Sequence, residues 1–229
     1  MVIFMKKHIA DLKINGSGSS AGGKYNSVLV NGSGRIDGDL DCDYMKINGQ
    51  CTVNGNVKVN SMKVHGNSLI KGNLEVEKAK IHGTADIKGN VSLENAETYG
   101  SISVDGDCNA EIFKIEGTFA IEGLLNAGEL ELSLYGPSRA REIGGEKIIV
   151  KKKGKYHFFG LKNLIMQGSS KGLKTETIEG DEIYLENTQA KVVRGNNIEL
   201  GPGCEIELVE YKDNFKQDEK AEVCTYKQI

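Results

Sequence analysis

Between residues 28 and 129 the chain alternates apolar and polar positions in short bursts separated by breaks. In the unit 28–44 the apolar or small positions are Val28, Val30, Gly34, Ile36, Leu40 and Cys42; the same six positions in the next unit hold Met45, Ile47, Cys51, Val53, Val57 and Val59. A third unit gives Met62, Val64, Ser68, Ile70, Leu74 and Val76. Pairs spaced by two and then interrupted are the period of a strand broken by corners. A helix needs apolar residues three and four apart, and the frequent Gly and Asn would each weaken it. Three short strands and three bends per unit predict a triangular coil.

Successive units begin at Val28, Met45 and Met62, and this spacing holds with no insertion or deletion over six copies. Glycines recur at Gly32, Gly49, Gly66, Gly83, Gly100 and Gly117, and again a third of a unit later at Gly38, Gly55, Gly72, Gly89, Gly106 and Gly123. Ile36, Val53, Ile70, Ile87, Val104 and Ile121 form a third register, apolar and β-branched throughout. Such self-similarity marks a solenoid whose units bury their apolar faces against one another. Both glycine series fall where the chain bends, so both are expected at positive φ. Identical positions stack at about 4.8 Å, which makes six coils a rod of roughly 29 Å. The pattern leaves handedness open. Each end of such a rod is a sheet edge that is either capped or paired with another molecule.

Beyond residue 129 the register dissolves, and five regions are expected: an N-terminal tail with a first strand or cap over 1–27, the regular β-helix over 28–129, a basic linker over 130–168 with a hairpin at 147–159, a looser second β-coil segment over 169–211, and a charged tail over 212–229. The hairpin expectation rests on Ile148-Ile149-Val150 and Tyr156-His157-Phe158-Phe159 around Gly154.

Composition sharpens this picture. The chain has 229 residues, 29 Gly, 2 Pro and no Trp, and aromatics make up 6 %, which suits a narrow core of Val, Ile and Leu. Its net charge of -3 hides an asymmetry: residues 28–129 sum to -6, and residues 130–168 to +5. The five cysteines include no C-x-x-C pair, which excludes a disulfide framework or zinc site as the organising principle; Cys42, Cys51 and Cys108 read as small buried hydrophobes. No stretch approaches the ~20 apolar residues of a membrane span, and the N-terminal segment lacks the order of a signal peptide, so the chain is expected in the cytoplasm.

Candidate chemistry is sparse. His65 and His82 share one repeat position, but Asn31, Asn48, Tyr99 and Glu116 fill it elsewhere, which makes it an outward polar position. Lys46, Lys63, Lys80 and Lys114 form one ladder and Asp43, Glu77, Glu94 and Glu111 another, expected to compensate each other on solvated faces. Two segments are candidates for anionic surfaces. One is the N-terminal apolar run ending in lysines, with Ile3, Phe4, Lys6 and Lys7 as membrane contacts; the other is Lys151, Lys152, Lys153 and Lys155 beside aromatic residues. No catalytic, cofactor or metal residue is assigned. The regular coils offer no inserted loop for a hexapeptide acyltransferase, the unit is too short for a pectate-lyase-like coil, and no phosphate-binding glycine motif is present.

The stacked coils, as in Met45-Lys46-Ile47-Asn48-Gly49 and Thr52-Val53-Asn54-Gly55-Asn56-Val57, with few aromatics and no catalytic signature, resemble the bactofilins, polymer-forming bacterial cytoskeletal proteins. The resemblance covers about residues 28–129, and the C-terminal half looks like the extended variants found in Firmicutes. It implies a right-handed triangular β-helix that assembles end to end without nucleotide beneath the cytoplasmic membrane. It also implies scaffolding of cell shape, wall or flagellar machinery, with the chain itself and a paralogous bactofilin as partners. Phe4-Met5-Lys6-Lys7 is similar to the family's short membrane-targeting motif, set here after Met1-Val2-Ile3. No cofactor, nucleic acid or small-molecule substrate is expected. A non-polymerising β-helical binding module, with both ends capped, stays open as a second reading.

Overall fold

A computed structural model of the chain describes residues 9–153 and 172–229. Ten strands, β1 (Leu12–Val53), β2 (Val57–Ile70), β3 (Leu74–Ile87), β4 (Val91–Val104), β5 (Cys108–Leu134), β6 (Ser138–Lys152), β7 (Leu173–Leu185), β8 (Thr188–Leu200), β9 (Glu205–Gln217) and β10 (Glu222–Gln228), follow one another in a single sheet in chain order. Every neighbouring pair is parallel. Each labelled strand bends through corners, so the sheet wraps into a β-solenoid of about 10 turns.

The predicted inward positions form continuous columns. Leu40 and Cys42, Met45 and Ile47, and Cys51 and Val53 are all buried, which places one inward pair on each of three sides. Residues stack in register one coil apart, for example Met45 on Met62, Met62 on Ala79, Ala79 on Ala96 and Ala96 on Phe113. The β-branched column Ile36, Val53, Ile70, Ile87, Val104 and Ile121 is at most 1 % exposed throughout. Ser68 and Thr98 also point inward, and neither hydroxyl has a hydrogen-bond partner among the described residues.

The two glycine series turn out to differ. The first has positive φ at every member, +131° at Gly66 for instance, where an added Cβ would also lie 2.1 Å from the Gly49 carbonyl oxygen. In the second series only Gly38 has positive φ. Its later members are required by close approach: a Cβ on Gly89 would lie 2.2 Å from Oδ1 of Asn73. That oxygen belongs to a corner ladder. Asp39, Asn56, Asn73, Asn90 and Asp107 each accept, through Oδ1, a backbone N–H of the following coil, donated by Asn56, Asn73, Asn90, Asp107 and Leu124 at 2.7, 2.9, 2.8, 2.9 and 2.8 Å. Each side chain therefore satisfies a corner N–H that the sheet ladder cannot reach.

The C-terminal half departs from expectation. Residues 138–152, expected within a linker ending in a hairpin, form β6, which pairs parallel with both β5 and β7. The remainder of that expected hairpin lies outside the described residues. The second β-coil segment, whose stacking on the first coils the sequence leaves open, continues the same sheet through β7, β8 and β9; most of the expected tail forms the end of β9 and β10. At the other end, where a tail with a first strand or cap is expected over 1–27, the sheet begins at Leu12.

Only the spacing changes. Leu40 pairs with Val57 and Val91 with Cys108, the constant period of the regular coils. Between β5 and β6 the period lengthens across an irregularity between Ile121 and Leu124, so that Ala120 meets Arg139 and Leu124 meets Glu142. Between β7 and β8 it shortens, with Leu173 on Thr188, and it returns to the regular value by the last pair, Glu205 on Glu222. The long step from Ser138 to its partner Leu173 takes in residues 154–171, which lie outside the described set.

Candidate functional site: the ends of the solenoid

Because the sheet runs in chain order, β1 and β10 are its two edges, and the residues that build them differ sharply. The first turn of β1 contains Gly16, Ser17, Gly18, Ser19, Ser20, Ala21, Gly22 and Gly23, so about half of the turn carries only small side chains or none. It is fastened to the next turn by polar pairs: Asn31 Nδ2 donates to Asn15 at 2.9 Å, and Lys24 meets Asp41 at 2.9 Å. Ile14, with the half-buried Leu12 and Tyr25, supplies its core contribution. Among the described residues little obstructs this backbone edge.

The opposite end is aromatic. Tyr211, Phe215 and Tyr226 form a chain of rings with centroids 5.6 and 5.4 Å apart. Tyr226 stacks in register on the buried Val209, so it sits over the end of a core column, yet it is 60 % exposed; Ile229, three residues on, is 62 % exposed. Glu210 holds this end together. It is 7 % exposed, with Lys227 Nζ at 2.7 Å and Arg194 Nε donating at 2.6 Å. The adjacent ammonium of Lys227 and guanidinium of Arg194 hold its carboxyl below the ordinary 4.5. Among the described residues β10 pairs only with β9, so its outer edge carries unpaired backbone groups.

The aromatic end was hidden by reading residues 212–229 as a tail. One signal was available: Val223 and Tyr226 follow Ile206 and Val209 at the same spacing as Val57 follows Leu40, which is the period of the regular coils.

Of the remaining candidates, His65 and His82 are exposed and stacked in register, with ring centroids 5.0 Å apart, and Tyr99 continues the stack at 5.1 Å. No group of three or more metal-ligating side chains occurs among the described residues. Burial pushes the thiols of Cys42 and Cys108 up to about 12 and those of Cys51 and Cys204 to about 11, so these four are unreactive hydrophobes; Cys224 is exposed. Lys151, Lys152 and Lys153 are exposed where β6 ends, and Lys152 Nζ donates to Asn187 Oδ1 at 3.0 Å. Lys155 and the membrane candidates Ile3, Phe4, Lys6 and Lys7 lie outside the described residues. No described helix is long and apolar enough to cross a membrane. An open groove of about 750 Å³ crosses the C-terminal coils, basic at Arg139, Arg141 and Lys174 and acidic at Glu205, Glu207 and Glu222.

These features define the class: a parallel β-solenoid, free of inserted loops through its regular coils, whose distinctive surfaces are its ends. The bactofilin family profile, described as polymer-forming cytoskeletal, matches residues 7–92. Two proteins of Bacillus subtilis (strain 168) are similar. Uncharacterized protein YhbE is 53 % identical over 235 residues, spanning 95 % of this chain and 97 % of YhbE. Uncharacterized protein YhbF is 42 % identical over 101 residues, spanning 43 % of this chain and only 39 % of YhbF. The chain belongs to the bactofilin family, a family of structural cytoskeletal proteins. No solved structure matches it.

Proposed function

We propose that this chain is a cytoskeletal scaffold whose rods join end to end, without nucleotide, into filaments beneath the cytoplasmic membrane. The observation that carries the reading is a continuous parallel sheet that terminates in two exposed coil edges, one nearly bare of side chains and one presenting exposed Tyr226 and Ile229. Joining two such edges satisfies backbone groups and buries apolar surface in a single contact. The polymer-forming description of the family supports it. In this reading Ile3, Phe4, Lys6 and Lys7, together with the lysines at 151, 152, 153 and 155, contact the inner leaflet, and the filament organises cell shape, wall or flagellar machinery. A paralogous bactofilin is a further proposed partner.

Negative-stain electron microscopy of the purified protein without nucleotide tests it. Filaments are expected at micromolar concentration and are lost on Tyr226→Arg, which places a charge on the end face while leaving the coils folded. Monomers alone in the wild type would reject the proposal. They would favour a non-polymerising binding module, for which the aromatic closure of one end and the C-terminal groove are the supporting features. Removing the segment 1–8 is expected to lower co-sedimentation with anionic vesicles; unchanged binding would reject the membrane contact.

A further inference from the structure

The groove on the C-terminal coils begins beside Ile121 and runs over the small inward residues Ala140, Thr175 and Ala190, in the column that Ile87, Val104 and Ile121 fill in the regular coils. Its near end is basic but already neutralised, Arg139 by Glu122 and Arg141 by Glu142 at 3.4 Å. Its far end carries Glu207 and Glu222, and neither takes part in an ion pair among the described residues. Cys224, the one exposed cysteine, lines the same end. The chain leaves and rejoins the solenoid at the rim of this groove. Lys153 N–H donates to the Leu134 carbonyl at 3.0 Å, the Gly172 carbonyl accepts from Ser138 N–H at 2.8 Å, and two residues beyond Gly172 the side chain of Lys174 lines the groove. Between Tyr156 and Met166, outside the described residues, seven of eleven residues are large and apolar. The described surface exposes only Ile9, Tyr99, Tyr226 and Ile229 among its large hydrophobics. An apolar stretch of that size calls for a surface to bury against.

We propose that this groove is the docking site of the chain's own segment 154–171, whose apolar residues lie along its floor and whose central Lys162 meets Glu207 and Glu222. Lys162 is the point of furthest reach, nine residues from Lys153 and ten from Gly172. Nine extended residues span about 30 Å, whereas the groove crosses five coils, about 19 Å at the strand spacing. Charge sets the direction. The segment brings Lys155, Lys162 and Lys171 and no Asp or Glu, and the acidic side chains that stand unpaired are at the far end. A lipid surface or a second copy would also bury the apolar residues, but neither is tethered at the rim, and a short tether gives an effective concentration on the order of millimolar. Lys155, next to the rim, takes no part in the contact. The proposal stands apart from the polymer reading.

The test reads the groove through Cys224, the other four cysteines being buried. In dilute, unpolymerised protein, Asn163→Cys is expected to form a disulfide with Cys224 within one chain under mild oxidation, and none once Cys224→Ser is added. Replacing residues 154–171 by a short Gly-Ser turn is expected to speed alkylation of Cys224 by iodoacetamide about tenfold, since a docked segment leaves the thiol accessible only while it is open. Lys162→Glu gives the same rise with the chain intact, and adding Glu207→Lys with Glu222→Lys reverses it. A replacement that melts cooperatively at the wild-type temperature with labelling of Cys224 unchanged overturns the proposal. So does a disulfide that forms only between chains, which would assign the segment to a second copy. Labelling that slows only when phosphatidylglycerol vesicles are added overturns it as well and would assign the segment to lipid.

Discussion

The coils up to Ile121 and those from Ser138 onward share one core and differ in their corners. From Leu40 to Ile121 the turn length never varies, and the corner ladder from Asp39 to Asp107, with the glycines that fit beneath it, makes every turn a copy of the last. In the second region the turn shortens between β7 and β8 and lengthens again, with corners set individually by residues such as Asn187 at φ 47° and Gly203 at φ +78°. The inward columns pass through this change unbroken: Leu130, Ile148, Ile183, Ile198 and Phe215 continue one of them. Stacking therefore requires register of the sides, while corner length is free to vary where no ladder demands constancy.

If the core is common to both regions, Ile70→Ala and Ile198→Ala should destabilise alike, each by about 2–5 kcal/mol, since both empty a fully packed inward position. Thermal or denaturant unfolding reads this; a much smaller loss at Ile198 would mean that the C-terminal coils are loosely packed. Corner substitutions should separate the regions. Gly89→Ala displaces Asn73 from the ladder and costs about 1–2 kcal/mol, combining the lost hydrogen bond with local strain. Thr177→Ala, at a ladder-free corner of β7, should stay within about 0.5 kcal/mol.

A gain of stability is expected at Thr98. Its buried hydroxyl lacks a partner among the described residues, in a column otherwise filled by Ile47, Val64, Ile81 and Ile115, so Thr98→Val should stabilise by about 1 kcal/mol. The smallest effect is local and depends on pH. Because the carboxyl of Glu210 titrates below its ordinary value in the folded chain, its ion pairs support the fold above about pH 4.5 and are lost as the pH falls through that lowered value. Glu210→Gln should remove this dependence. It should speed amide exchange in β10 while leaving β2 to β4 unchanged, and uniform exchange across both regions would contradict it.

The difference between the regions also explains what was legible in the chain. Where corners are chemically identical, the inward and corner residues recur at a fixed spacing, and the coil, its three sides and its buried cysteines can be read directly. Beyond Ile121 the alternation of Ile183-Tyr184-Leu185 or Ile198-Glu199-Leu200 persists, but shifting offsets hide which residues stack. Residues 138–152 thus looked like a linker and hairpin, and the aromatic end like a frayed tail. The positive φ expected of the second glycine series failed for another reason: close approach, unlike conformation, is invisible until the neighbouring coil is in place.

End-to-end joining makes one geometric demand that is open to direct measurement. Fibre diffraction from oriented filaments reports the direction of the β-ladder, whose spacing is about 4.8 Å. If the rods join through their coil edges, that reflection falls on the meridian, along the filament axis, with a subunit repeat of about 50 Å for about 10 turns. The same reflection on the equator would place the rods across the filament and contradict assembly through the ends.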